Sequence, residues 1–194
     1  MHPDCERILL TEEEIRLKVK ELAAQISRDY ADKELLVVGI LKGSVIFLAD
    51  LVRNISVPTC FDFMAVSSYG ASSKSSGVVR ILKDLDQGIE GRHVLIVEDI
   101  VDTGLTLSYL VENLKTRGPA SLKICTLLDK PSRRVVDVDV HYNGFKIENH
   151  FVVGYGLDFN GLYRNQPCIM VLKPDIYKGG KKHDSARAGI GNRP

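Results

Sequence analysis

Short apolar runs, each ending in a polar loop and followed by a helical stripe, recur along this chain. Leu35 through Ile40 reads as a buried strand. It runs into Leu41-Lys42-Gly43-Ser44 and then a helix with Phe47, Leu48, Leu51 and Val52 on one face. Val94–Val97 is a second such strand, followed by Glu98 and Asp99 at its end. Asp102 then opens a loop with Thr103, Gly104 and Thr106, before a helix with Leu107, Leu110, Val111 and Leu114 inward. Upstream, residues 1–10 read as an arm. Thr11 and Glu14 form a capping box, opening a helix whose stripe is Ile15, Val19, Leu22, Ala23 and Ile26. Further strands are expected over Cys60–Val66, Val78–Leu82, Leu122–Leu128, the start of Phe151–Asp158, and Ile169–Leu172. Gly118-Pro119 stops the helix before the strand over Leu122–Leu128. The alternation predicts an α/β fold, with a central, mainly parallel sheet and helices on both faces.

In such folds a ligand sits beyond the carboxyl ends of the strands, which is where Glu98 to Thr106 lies. A helix N-terminus offers unpaired N–H groups and a partial positive charge, so it suits a phosphate. Gly104 lets the backbone approach, and the Thr103 and Thr106 hydroxyls can donate. Three acids would repel a phosphate, so they need other work: ribose hydroxyls, Mg²⁺ or a proton. The plainer alternative is a solvated loop with a capping Thr or Asp. Between the Cys60–Val66 and Val78–Leu82 strands, Ser67 to Gly77 holds six serines and two glycines in eleven residues and cannot form a core. Tyr69 in its middle suggests a segment that covers something.

Composition narrows the class. The chain has 194 residues, 44% hydrophobic and 26% charged, with a net charge of +1. That predicts one domain and argues against broad binding to nucleic acid or membranes. No apolar run nears the roughly 20 residues of a membrane span, and the N-terminus lacks a signal-peptide core. Cys5, Cys60, Cys125 and Cys168 are scattered without a C-x-x-C pair, which suits reduced thiols in a cytoplasmic protein. Residues 178–194 are basic, Gly-rich and nearly without apolar residues, and are expected to be disordered.

Val94–Thr106 resembles the thirteen-residue phosphoribosyl-pyrophosphate (PRPP) motif of type I phosphoribosyltransferases, in the form found in bacterial-type hypoxanthine-guanine phosphoribosyltransferases. The resemblance covers roughly residues 6–173 in several patches of matching order. It implies a small hood subdomain, built from the N-terminal arm and about 150–177, on a domain spanning 1–177. It implies transfer of the 5-phosphoribosyl group from PRPP to hypoxanthine or guanine, giving IMP or GMP plus pyrophosphate. Glu98, Asp99, Asp102, Thr103, Gly104, Leu105 and Thr106 would bind PRPP, with Asp102 as general base. Leu105 stands where many relatives carry a polar residue. Leu41, Lys42, Gly43 and Arg164 would hold pyrophosphate, often with a cis peptide before the lysine. Ser68 and Tyr69 match a flap. Lys130, Phe151, Val152 and Asp158 would bind the purine, and Glu98, Asp99 and Asp158 a Mg²⁺ ion. Family members are usually homodimers or homotetramers. Two alternatives stay open: a xanthine-type enzyme, or a PRPP- or nucleotide-sensing regulator that binds RNA on the same fold.

Overall fold

The computed structural model describes residues 2–68 and 79–178. In chain order the elements are β1 (Cys5–Leu10), α1 (Glu12–Asp29), β2 (Leu35–Leu41), α2 (Val45–Val52), β3 (Thr59–Ser68) and β4 (Val79–Lys83). Then come β5 (His93–Val101), α3 (Leu105–Lys115), β6 (Ser121–Asp129), β7 (Tyr142–Lys146), β8 (Val152–Val153), β9 (Ile169–Leu172) and α4 (Pro174–Lys178).

Six strands form the main sheet in the order β4-β3-β2-β5-β6-β7. Only β4 runs antiparallel to its neighbour, and the other pairings are parallel. Because successive side chains leave a strand on opposite faces, each central strand feeds two cores. Leu35 and Val37 of β2, with Leu95 and Val97 of β5, pack under α1 and α2. Leu36, Val38 and Ile40, with Val94 and Ile96, pack under α3. That double burial is why these strands read as continuous apolar runs.

Helix α1 buries Ile15, Val19, Leu22, Ala23 and Ile26, the stripe the spacing predicts. Its capping box is formed: the Thr11 amide donates to Glu14 Oε2 at 2.8 Å, and the Glu14 amide donates to Thr11 Oγ1 at 3.2 Å. The N-terminal arm is itself a strand. β1 pairs antiparallel with β9, which pairs with β8, making a separate three-stranded sheet. This second sheet supplies Val152, Ile169 and Val171 to the main core. On its other side it carries a small cluster of Cys5, Val153, Tyr163, Met170 and Leu172. All four cysteines are free thiols. Among the described residues no helix is long and apolar enough to cross a membrane. Tyr69 and the expected tail fall outside the described residues, apart from Lys178 at the end of α4.

Candidate active site

Parallel strands leave their carboxyl ends on one edge, and β2, β5 and β6 bring three loops together there. The first follows β2. The Leu41–Lys42 peptide is cis. Lys42 is exposed, and Ser44 is fully buried with its hydroxyl donating to the Ile40 carbonyl at 2.7 Å.

The second loop follows β5. The strand does not stop at the apolar run but continues through Glu98 and Asp99 to Val101. Strand alternation therefore sends the two acids to opposite faces. Asp99 lies on the side of the Lys42 loop, so close that a Cβ on Gly43 would fall 1.6 Å from its Oδ2. Burial is the main reason both carboxyls titrate high. Glu98 is pushed well up, with the Asp99 charge adding to it. Asp99 is pushed up to about 6, against which the hydrogen bond from the Ile100 amide and the charge of Arg164 act. Past the strand, Gly104 has φ 84°, and a Cβ there would meet the Val136 carbonyl oxygen at 2.5 Å. Only glycine fits that approach. Thr103 is pinned from the same side, its carbonyl accepting from the Val135 amide at 2.9 Å. The turn so formed opens α3 at Gly104, and the first amides of a helix, which lack intrahelical partners, suit an anion.

The third loop follows β6. Lys130 is only 7% exposed, and its amide donates to the Val101 carbonyl at 3.0 Å, tying this loop to the second. Burial lowers its pKa, the Asp102 charge opposes that, and no hydrogen bond contributes. Asp129 next to it is 6% exposed and accepts from Asn143 Nδ2 at 2.8 Å and from Arg134. Arg134 also donates to the Asp102 carbonyl at 3.0 Å, while Arg133 Nε donates to Asp102 Oδ1 at 3.2 Å.

The second and third loops, with the chain around the small sheet, line a cavity of about 560 Å³, with Asp102, Lys130, Phe151, Val152 and Asp158 among its lining. A charged donor, a carboxylate and an aromatic face thus share one space of a size that suits a heterocycle with a sugar attached. Phe151 is 37% exposed, and its ring stacks on that of Tyr177 at 4.7 Å between centroids. Asp158 pairs with Arg164 at 2.7 Å and accepts from the Gly161 amide at 2.7 Å. Both Asp158 and Arg164 act on Asp99, so Arg164 and the Lys42 loop at Gly43 are both neighbours of Asp99.

The structure therefore gathers the residues singled out from the sequence around one edge, within the described part. Ser68 ends β3, and Tyr69 of the expected flap lies outside the described residues. Asp129, Arg133, Arg134, Asn149, His150, Leu157 and Tyr177 also contribute and were not anticipated. Only Asp129 left a trace in sequence, as an acid at a strand end. Among the described residues no three acidic, histidine or cysteine side chains converge as a preformed metal cage. The half-buried acids with raised pKa values at Glu98 and Asp99 still fit a cation that arrives with phosphates, since Mg²⁺ needs only one or two protein carboxylates alongside them.

A parallel sheet with an anion cradle, acids and an aromatic-lined cavity at one edge defines an enzyme acting on a nucleotide or a phosphorylated sugar. Comparison with known proteins agrees and goes further. The family described as phosphoribosyl transferase domain matches residues 7–160. A hypoxanthine-guanine phosphoribosyltransferase of Mycobacterium avium is 55% identical over 181 residues, covering 90% of this chain and 89% of that protein. One from Bacillus subtilis is 53% identical over 178 residues, covering 92% and 99%. The crystal structure of a hypoxanthine phosphoribosyltransferase from Staphylococcus aureus superposes with a TM-score of 0.88 at 52% identity, covering 91% of this chain and 96% of that one. The chain belongs to the phosphoribosyltransferase family, and within it to the hypoxanthine-guanine phosphoribosyltransferases.

Proposed function

We propose that this enzyme of purine salvage transfers the 5-phosphoribosyl group of PRPP to hypoxanthine or guanine, releasing pyrophosphate and giving IMP or GMP. The observation that carries the reading is the pairing of Lys130 with Asp102 in one cavity beside Phe151. A keto purine presents a carbonyl oxygen next to an imidazole nitrogen. Lys130 donates to the first, and Asp102 takes or steadies the proton at the second. An amino purine would leave the buried ammonium without an acceptor, which is how the site rejects it.

The remaining residues divide the work of the transfer. Phe151 stacks on the base, and the Val152 backbone meets its edge. Thr103, Gly104, Leu105 and Thr106 hold the 5′-phosphate, fixing the ribosyl carbon against the base. Glu98 and Asp99 hold the ribose hydroxyls directly or through Mg²⁺, with Asp158 as a further ligand. Bound Mg²⁺ would supply charge neutralisation on the pyrophosphate oxygens. As the bond to pyrophosphate breaks, Lys42 and Arg164 offset the growing negative charge, with Leu41 and Gly43 shaping the loop. Ser68 and Tyr69 belong to the covering flap, which excludes water. We place the enzyme in the cytoplasm as a homodimer or homotetramer, with residues 1–177 as the catalytic domain and the tail outside it.

A pyrophosphate-release assay with PRPP, Mg²⁺ and each of hypoxanthine, guanine, xanthine and adenine tests this. Release is expected with the first two. Silence with every base overturns the reading, and release with xanthine alone moves it to the xanthine-type enzyme.

A further inference from the structure

Tyr155 lies in the tight turn that leads from β8 toward Asp158 and Arg164. It is 6% exposed, and its φ of 49° is in the left-handed region that few tyrosines adopt. Its neighbours lock that backbone. The Tyr155 amide donates to the Gln166 carbonyl at 2.8 Å and the Gly156 amide to the Arg164 carbonyl at 3.0 Å. Arg164 Nη1 returns a hydrogen bond to the Gly156 carbonyl at 2.6 Å. So the shape of this turn and the place of Arg164 are one structural unit.

The Tyr155 hydroxyl leaves that unit. It donates to Asp50 Oδ2 at 2.5 Å, on α2. The other oxygen of Asp50 pairs with Arg53. Helix α2 starts directly after Lys42-Gly43-Ser44, and Ser44 ties the loop back to β2, so α2 and the Lys42 loop form a second unit. Where the two units meet the backbones nearly touch. A Cβ on Gly156 would lie 2.0 Å from the Gly43 carbonyl oxygen. Burial of the ring alone would be served as well by phenylalanine. The hydroxyl is there for Asp50.

We propose that the Tyr155–Asp50 hydrogen bond is a clamp that sets the distance between Lys42 and Arg164, making Tyr155 and Asp50 positioning residues for pyrophosphate. This rests on the assignment of Lys42 and Arg164 to that group. Two cations that must meet one leaving group from separate loops gain nothing unless the loops are held in register. The hydrogen bond, next to the Gly156–Gly43 contact, is a direct link between them outside the substrate. The base cavity does not include Tyr155 or Asp50, so the effect should fall on one substrate only.

Steady-state kinetics on the full chain, with PRPP and hypoxanthine varied separately, tests the clamp, together with calorimetric binding of Mg²⁺-pyrophosphate. Tyr155→Phe is expected to raise the KM for PRPP about fivefold to tenfold and weaken pyrophosphate binding similarly, for loss of a hydrogen bond to a charged group. The KM for hypoxanthine should stay within about twofold. Asp50→Asn keeps an oxygen acceptor and should lie closer to the parent than Asp50→Ala. An unchanged KM for PRPP in Tyr155→Phe overturns the clamp, as does a rise shared equally by both substrates. A parent protein that binds neither PRPP nor pyrophosphate overturns the site assignment and the clamp with it. A parent that binds both while Tyr155→Phe binds equally well overturns the clamp alone.

Discussion

Asp102 is held by its surroundings before any substrate arrives. Arg134, itself anchored on buried Asp129, grips the Asp102 carbonyl, and Arg133 meets its carboxylate. Two arginines from one loop thus hold Asp102, one by its backbone and one by its carboxylate. Asp102→Asn keeps the shape but loses the basic oxygen. Turnover is expected to fall about 100-fold or more, as for loss of a general base, with nucleotide binding largely intact. Unchanged turnover in single-turnover measurements would remove Asp102 from that role. Asp99 offers a separate test through stability. Its carboxyl titrates near 6 in the fold, against about 3.9 in an unfolded chain. Between those values the folded protein binds the proton and the unfolded chain does not. Stability should therefore drop as pH rises through that window, the reverse of the usual carboxylate case. Glu98, also pushed up, acts in the same sense. Melting in metal-free buffer at pH 4.5 and at 7.5 should show a smaller difference in Asp99→Asn than in the parent. An equal difference in the two proteins would mean that Asp99 is not held in its strained, charged form at neutral pH.

The elements that read clearly from sequence are those whose burial is governed by their own residues. α1 is one: its cap and its stripe are both local. Thr11→Ala is expected to lower stability by about 1 kcal/mol, read as a fall in melting temperature with kinetics unchanged. The two central strands are legible for a similar reason, since covering both faces makes them uniformly apolar. What sequence left out depends on partners far along the chain. β1 looks like an arm because Glu6 and Arg7 interrupt it, and it becomes a strand only against β9. β7, Tyr-Asn-Gly-Phe-Lys, has no apolar run and joins the sheet through its pairing with β6. At the site, the proposed phosphate cradle and its acids sit on one contiguous stretch, so the sequence marks them together. The arginines behind Asp102 and the Tyr177 ring on Phe151 come from segments with no pattern of their own. The end of β5 is the instructive case. Apolar character stops at Val97, but the ladder to β6 runs on through Val101 opposite Asp129. Pairing, not hydropathy, carries the strand into the site, and it is pairing that splits Glu98 from Asp99.

At the scale of the whole molecule, the base and the activated sugar are held by bodies of unequal strength. The sugar side rests on the six-stranded sheet, whose central strands are buried on both faces under three helices. The proposed base side rests on Phe151, next to a two-residue strand in a three-stranded sheet whose outer cluster holds five buried residues. Among the described residues its β1 edge pairs only with β9, and it carries two register shifts. Fewer apolar contacts and a weaker ladder mean a smaller free energy of local opening. Native-state hydrogen exchange should then find the amides of β2, β5 and β6 exchanging only through global unfolding. Amides of β1 and β8 should exchange through a cheaper local opening, at least tenfold faster. A ligand that binds the closed form stabilises it by mass action. In the proposed site IMP would touch both bodies, so it should slow exchange in β1 and β8 far more than PRPP alone does, because only the nucleotide carries a base to stack on Phe151 there. Equal protection by the two ligands would show that the small sheet is not coupled to base occupancy. Uniform exchange across both sheets would show that they unfold as one unit. The coupling has a functional side. If the purine closes the weaker sheet over itself, part of its binding energy goes into ordering that sheet. The base affinity is then set by the stability of β1 and β8 as well as by Lys130 and Phe151, and a mutation in the N-terminal arm would change the KM for hypoxanthine without touching the cavity.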